Sequence, residues 1–141
     1  MKARILLIIA VVASLSACSF SSSFMRARHM PAKAPDALMV FGGANQDIYL
    51  GTLGEATDED SIYNQQGKYG NPHSDLSISN KRSVYGSRDS EFSACNPHAP
   101  LPPIIVDKYN NVIGDFTSNA RLKTALPDEL IAPLRKLCKK G

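Results

Sequence analysis

SIYNQQGKYGNPHSDLSISN, residues 61–80, opens on Ser61-Ile62-Tyr63-Asn64 and closes on Ser77-Ile78-Ser79-Asn80. The two phrases are offset by sixteen residues, and the offset holds outside them. Ser93 and Asn96 continue the serine and asparagine series, and Tyr69 aligns with Tyr85. Gly54, Gly70 and Gly86 keep the same spacing, as do Asp58, Ser74 and Ser90. A fixed internal period of this kind marks one structural unit stacked on its neighbours.

The residue types describe that unit. Serine and asparagine bond to nearby backbone groups and favour turns over helices. A glycine after the tyrosine permits close backbone approach. Ile62, Ile78 and the tyrosines are the groups available for burial. Each unit therefore reads as a hydrogen-bonded loop with one or two apolar feet. Tyr63, Tyr69 and Tyr85, together with Asn64 and Asn80, are the candidate recognition surface, because tyrosine packs and hydrogen-bonds at modest entropic cost. The alternative for the same tyrosines is the core of the repeat.

On either side the pattern changes to strands. Leu38-Met39-Val40-Phe41 and Ile48-Tyr49-Leu50 bracket Gly42-Gly43-Ala44-Asn45, and Ile104-Ile105-Val106 and residues 112–116 bracket Lys108-Tyr109-Asn110-Asn111. Both are hairpin signals. Leu126, Leu130, Ile131, Leu134 and Leu137 then fall at helical spacing. Pro127 suits a first helical turn and Asp128 and Glu129 its positive end, whereas Pro133 is expected to kink or split the helix. The expected fold is mainly β with some α (α+β): short hairpins flanking a 16-residue turn-rich repeat, with a C-terminal helix.

The amino terminus carries a different message. Lys2 and Arg4 precede an apolar run from Ile5 to Val12, and the stretch closes on Leu15-Ser16-Ala17-Cys18. This is the layout of a secretory signal, too short to span a bilayer. The four residues resemble the lipobox of bacterial lipoproteins. That resemblance implies lipid attachment at Cys18, with Leu15, Ser16 and Ala17 as recognition residues and a signal peptide of residues 1–17. Multiple acyl chains would anchor the protein stably to a membrane. Ser19 after the cysteine favours, by the same resemblance, the outer membrane over the inner; the expected place is its periplasmic face, with the inner membrane and the cell surface as alternatives. Residues 18–37, rich in serine, alanine and proline, read as a flexible tether, and residues 38–141 as a single small domain.

Losing Lys2 and Arg4 with the signal leaves 14 basic and 13 acidic residues, a net charge of +1. Without a clustered basic face, nucleic acid is not an expected partner. Arg26/Arg28 and Arg135/Lys136/Lys139/Lys140 are the two basic groups, the second suited to a helix C-terminus. With Cys18 acylated, Cys95 and Cys138 remain as an even pair in an exported chain, a possible disulfide. Two buried free thiols are the alternative.

The repeats also resemble those of small bacterial secreted or lipid-anchored proteins carrying Tyr-Gly-Ser and Ser-Ile-Trp-Asn phrases. The match runs over residues 40–119 and takes in Tyr49-Leu50-Gly51, Pro102-Pro103-Ile104-Ile105-Val106-Asp107 and Asn111-Val112-Ile113-Gly114. The chain departs from that pattern at Tyr63 and Ser79, where tryptophan would stand, and at Asn71 and Cys95. The resemblance implies an architecture and no mechanism.

Catalytic signatures are not found: there is no Gly-x-Ser-x-Gly elbow and no phosphate-binding glycine motif. His73 and His98 each follow an Asn-Pro pair, but at different phases of the repeat. Asp58-Glu59-Asp60 lacks the alternating spacing of a calcium loop. No enzymatic activity, metal or cofactor is expected. The reading is an envelope lipoprotein with a structural, accessory or protein-binding role, attached to the membrane by lipid and contacting an envelope protein. A glycan- or peptidoglycan-binding module is the alternative, and a small hydrolase using His73 or His98 with Asp60 or Asp75 the third.

Overall fold

The computed structural model describes residues 28–31, 36–122 and 126–139. The lipobox with Cys18, and most of the segment read as a tether, lie outside the described residues. Four strands form one antiparallel sheet: β1 (Met39–Gly42), β2 (Ile48–Thr52), β3 (Ile104–Val106) and β4 (Val112–Asp115), in the order β2-β1-β3-β4. One helix, α1 (Asp128–Lys139), follows. The fold is thus a small α+β arrangement.

Both hairpins form where the sequence places them, closed by turns with positive backbone φ. Gln46 donates its N–H to the Gly43 carbonyl at 2.9 Å, with φ of 88° at Gly43 and 53° at Gln46. In the second turn Asn110 has φ of 67°, a conformation asparagine tolerates. There the Asp107 Oδ1 accepts the N–H groups of Tyr109 and Asn111 at 2.9 and 2.8 Å. The Asn111 Nδ2 also donates to Asp107 Oδ2 at 2.9 Å, and this side-chain bond first, with the two backbone bonds after it, holds the Asp107 carboxyl below the ordinary carboxylate range.

The hairpins join through β1 and β3, where Met39 pairs with Val106 and Phe41 with Ile104. These central strands read MVFG and IIV and are buried throughout, because both faces of the sheet are covered. Val40 and Ile105 face a larger core with Leu50, Ile62, Ile78, Phe116, Ile131 and Leu134. Met39, Phe41, Ile104 and Val106 form a second cluster on the other side. Met30 packs against that second cluster, and Arg28 donates from Nε to the Gln46 carbonyl at 2.9 Å. These two residues belong to the stretch read as a tether, yet they sit on the sheet.

Between β2 and β3 the chain is a succession of turns. N–H to carbonyl bonds run from Ser61 to Asp58, Asn64 to Ser61 and Gly67 to Asn64, each spanning three residues. Asn71 to Gly67 spans four, after which Ser74, Ser77, Asn80 and Ser83 resume the three-residue step; Ser87 to Ser83 spans four again. From residue 71 to residue 87, four short steps and one long one span sixteen residues. Side chains reinforce the turns: the Oγ or Oδ1 of Ser61, Ser77, Asn80, Ser93 and Asn96 each accepts the N–H two residues on. The Nδ2 groups of Asn64, Asn80 and Asn96 donate to the carbonyls of Asp58, Ser74 and Ser90, each six residues back, at 2.9 to 3.0 Å.

Helix α1 lies on this coil. Ile131, Leu134 and Cys138 are buried, and Cys138 is bonded to Cys95 with a Cα–Cα separation of 5.3 Å. Lys81 Nζ donates to the Leu137 and Cys138 carbonyls at 3.1 and 2.9 Å, satisfying two of the open carbonyls at the helix end. The helix runs unbroken through Pro133, so the expected split does not occur. Pro133 deprives the Glu129 carbonyl of its N–H partner, but Glu129 is exposed and solvent can serve that carbonyl. Among the described residues no helix is long and apolar enough to cross a membrane.

Candidate functional site

The seam between coil and helix leaves a groove of about 380 Å³. Ile62, Tyr63, Gly70 and Pro72 supply the coil wall, and Pro133 and Leu137 the helix wall. Polar groups enter from Gln65, Ser79 and Lys136. Mostly apolar walls with a few polar groups, at this volume, are the ordinary construction of a ligand groove.

Each wall follows from local chemistry. Ile62 is buried as the apolar foot of its turn, and Tyr63 follows it with its N–H held by Ser61 Oγ at 3.1 Å, which fixes where the ring departs. Burial pushes the Tyr63 hydroxyl up to about 12, so the ring stays neutral across the physiological range. Gly70 is needed by close approach: a Cβ there would collide with the Asn64 carbonyl oxygen. On the helix, Pro133 and Leu137 are four residues apart and share a face.

The other residues picked as a recognition surface are distributed differently. Asn80 and Tyr85 are buried, at 6% and 8% exposure, and present little to a partner. Asn80 spends its side chain on Ser74 and Arg82. Tyr85 packs under the first hairpin, its ring 3.0 Å from where a Cβ on Gly42 would stand; burial, then Asp47, raises its pKa. Asn64 is half-buried and holds the Asp58 carbonyl and the Gln66 and Gly67 N–H groups. Tyr69 lies edge-on to Tyr49 with centroids 5.1 Å apart, and Tyr49 is 5.5 Å from Phe41. Burial raises the pKa of Tyr69, with Asp60 adding to the effect. The Tyr49 hydroxyl is buried with no partner at hydrogen-bond distance among the described residues. Burial chiefly, then the Asp60 charge, raises its pKa.

Of the five residues, then, only Tyr63 reaches the groove. Its partners across the seam escaped the sequence reading because they lie some seventy positions away; the spacing of Pro133 and Leu137 was the one available signal. His73 and His98 are exposed, and among the described residues no three His, Cys, Asp or Glu side chains gather to hold a metal ion. Comparison with protein-family models, curated proteins and solved structures finds no match.

Proposed function

We propose that this protein is a lipid-anchored envelope protein, attached through Cys18 at the periplasmic face of the outer membrane, with an accessory, protein-binding role and no catalysis of its own. We further propose that the sixteen-residue period is one structural unit repeated, and that the turn coil is the scaffold on which the binding surface is built. The observation that carries the binding role is the groove between Tyr63 and Leu137. An extended segment of an envelope protein suits it, since Pro72 and Pro133 present rigid apolar surface and Gln65, Ser79 and Lys136 lie at hand for backbone carbonyls and amides. Glycan binding is the second reading, favoured by the same Tyr63 ring beside Gln65 and Ser79, an aromatic platform next to polar groups.

Two experiments test this. Palmitate labelling in cells should be abolished by Cys18→Ala, with the protein leaving the membrane fraction; continued labelling rejects the anchor. A photo-crosslinking residue at Gln65 or Lys136 should give one discrete adduct with an envelope protein, and the same residue at exposed Tyr109 should not. Identical adducts from all three positions reject the groove, whereas sedimentation with isolated cell wall, abolished by Tyr63→Ala, decides for glycan.

A further inference from the structure

A second groove, of about 350 Å³, opens where the disulfide ties helix to coil. Three cations line it, Arg88 from the coil and Arg135 and Lys139 from α1, around Cys95, Cys138 and Ser118. Among the described residues no carboxylate belongs to its walls. Like charges brought together repel unless something offsets them, so the convergence needs a reason.

Compensation of the helix dipole explains only part of it. Arg135 and Lys139 lie in the last two turns of α1, where cations are favoured. The carbonyls of Leu137 and Cys138, however, are already taken by Lys81, and Arg88 is not on the helix. The positive field of Arg88 also reaches Lys81, whose pKa is lowered first by burial and then by Arg88. A fourth cation thus stands within the field of Arg88. Arg135 is paired at 3.5 Å with Asp128, both side chains being exposed; exposed pairs of this kind contribute little, and Arg135 also lines the groove. The Ser118 hydroxyl in the same wall is shielded from solvent and has no hydrogen-bond partner among the described residues.

We propose that this groove binds a phosphate group, held by Arg88 and Arg135 as forked donors and Lys139 as a point charge. Arginine matches phosphate geometry with paired N–H donors, and the cystine gives the groove a rigid floor. The phosphate belongs either to a lipid headgroup or to a free phosphate ester, chemistries the groove recognises alike. The site is independent of the Tyr63 groove, so neither proposal depends on the other.

The test uses the full chain in neutral detergent, followed by amide shifts and titration calorimetry. Inorganic phosphate should bind saturably in the millimolar range or tighter, moving resonances at Arg88, Ser118 and Lys139; Arg88→Gln and Arg135→Gln should each weaken it at least ten-fold. If phosphatidylglycerol doped into the micelles produces those shifts and inorganic phosphate does not, the source is a headgroup, and the same variants should abolish the response. Arg82→Gln and Lys108→Gln remove equal charge outside the groove and should change affinity less than two-fold. The proposal is overturned by the absence of any saturable response to either probe. It is equally overturned if Arg82→Gln and Lys108→Gln weaken binding as much as Arg88→Gln does, since the effect is then general electrostatics.

Discussion

Asn64, Asn80 and Asn96 share two side-chain bonds, to a carbonyl six residues back and an N–H two residues on, but Asn80 makes them in the interior and Asn64 at the half-exposed start of the coil. Removing a buried side chain that satisfies both a carbonyl and an N–H strands both groups, whereas water replaces the loss near the surface. Asn80→Ala should therefore cost about 3 kcal/mol and Asn64→Ala about 1 kcal/mol, read as shifts in urea midpoint at constant slope. Equal losses would show that burial does not set the value of these bonds. Tyr63 gives a second residue-scale expectation, with the sign fixed by linkage. Its hydroxyl titrates near 10.0 in the unfolded chain and about 12 in the folded one, so the folded state holds one more proton between those values. Its contribution is complete below pH 10 and is lost as pH rises toward 12. In Tyr63→Phe the decline of stability over that window should be shallower by about 1.4 kcal/mol per pH unit at most, other tyrosines supplying the remainder. An unchanged slope would mean that Tyr63 is not buried.

At the scale of elements, what is local was legible and what depends on distant partners was not. The hairpins are announced by Gly42-Gly43 and by Asp107 through Asn111, turn chemistry acting over a few residues, and α1 by its leucine spacing. The groove needed Tyr63 to find Leu137, and no local signal encodes that pairing. Asn80 and Tyr85 misled for a related reason: a repeated polar or aromatic residue reads alike whether its unit faces solvent or the sheet. Ile62 and Ile78 are both in the core and Asn80 and Tyr85 are buried, whereas Asn64 is only half-buried. Pro133 is the place where element and site conflict. A proline inside a helix forfeits a hydrogen bond and is costly, yet this one lines the groove. Restoring the bond with Pro133→Ala should stabilise the protein, by about 1 kcal/mol or more, while weakening whatever the Tyr63 groove holds. A variant both less stable and fully binding would assign Pro133 to packing alone.

On the scale of the whole molecule, three layers depend on one another: the residues 28–31 side of the sheet, the sheet itself, and the coil with its helix. The sheet is too small to stand alone, with strands of three to five residues, and the coil has few large apolar groups of its own. What fastens the outer layer is the Cys95–Cys138 bond, Lys81 at the helix end, and the burial of Ile131 and Leu134. The disulfide closes a loop across 43 positions, which by chain entropy is worth about 4 kcal/mol. In a domain this size that is a large share of the total. The paired change Cys95→Ser/Cys138→Ser should therefore lower stability by about that amount. Loss should begin at the helix, with amide protection falling first at Leu134 and Leu137 while Val40 and Ile105 stay protected until global unfolding. Lys81→Met in the same background should release the helix further, because bond and cap hold the same terminus, and the two losses should exceed their sum measured singly. If reduced and oxidised protein instead unfold at the same urea concentration, the layer is held by apolar packing and the cystine only records that the cysteines are neighbours.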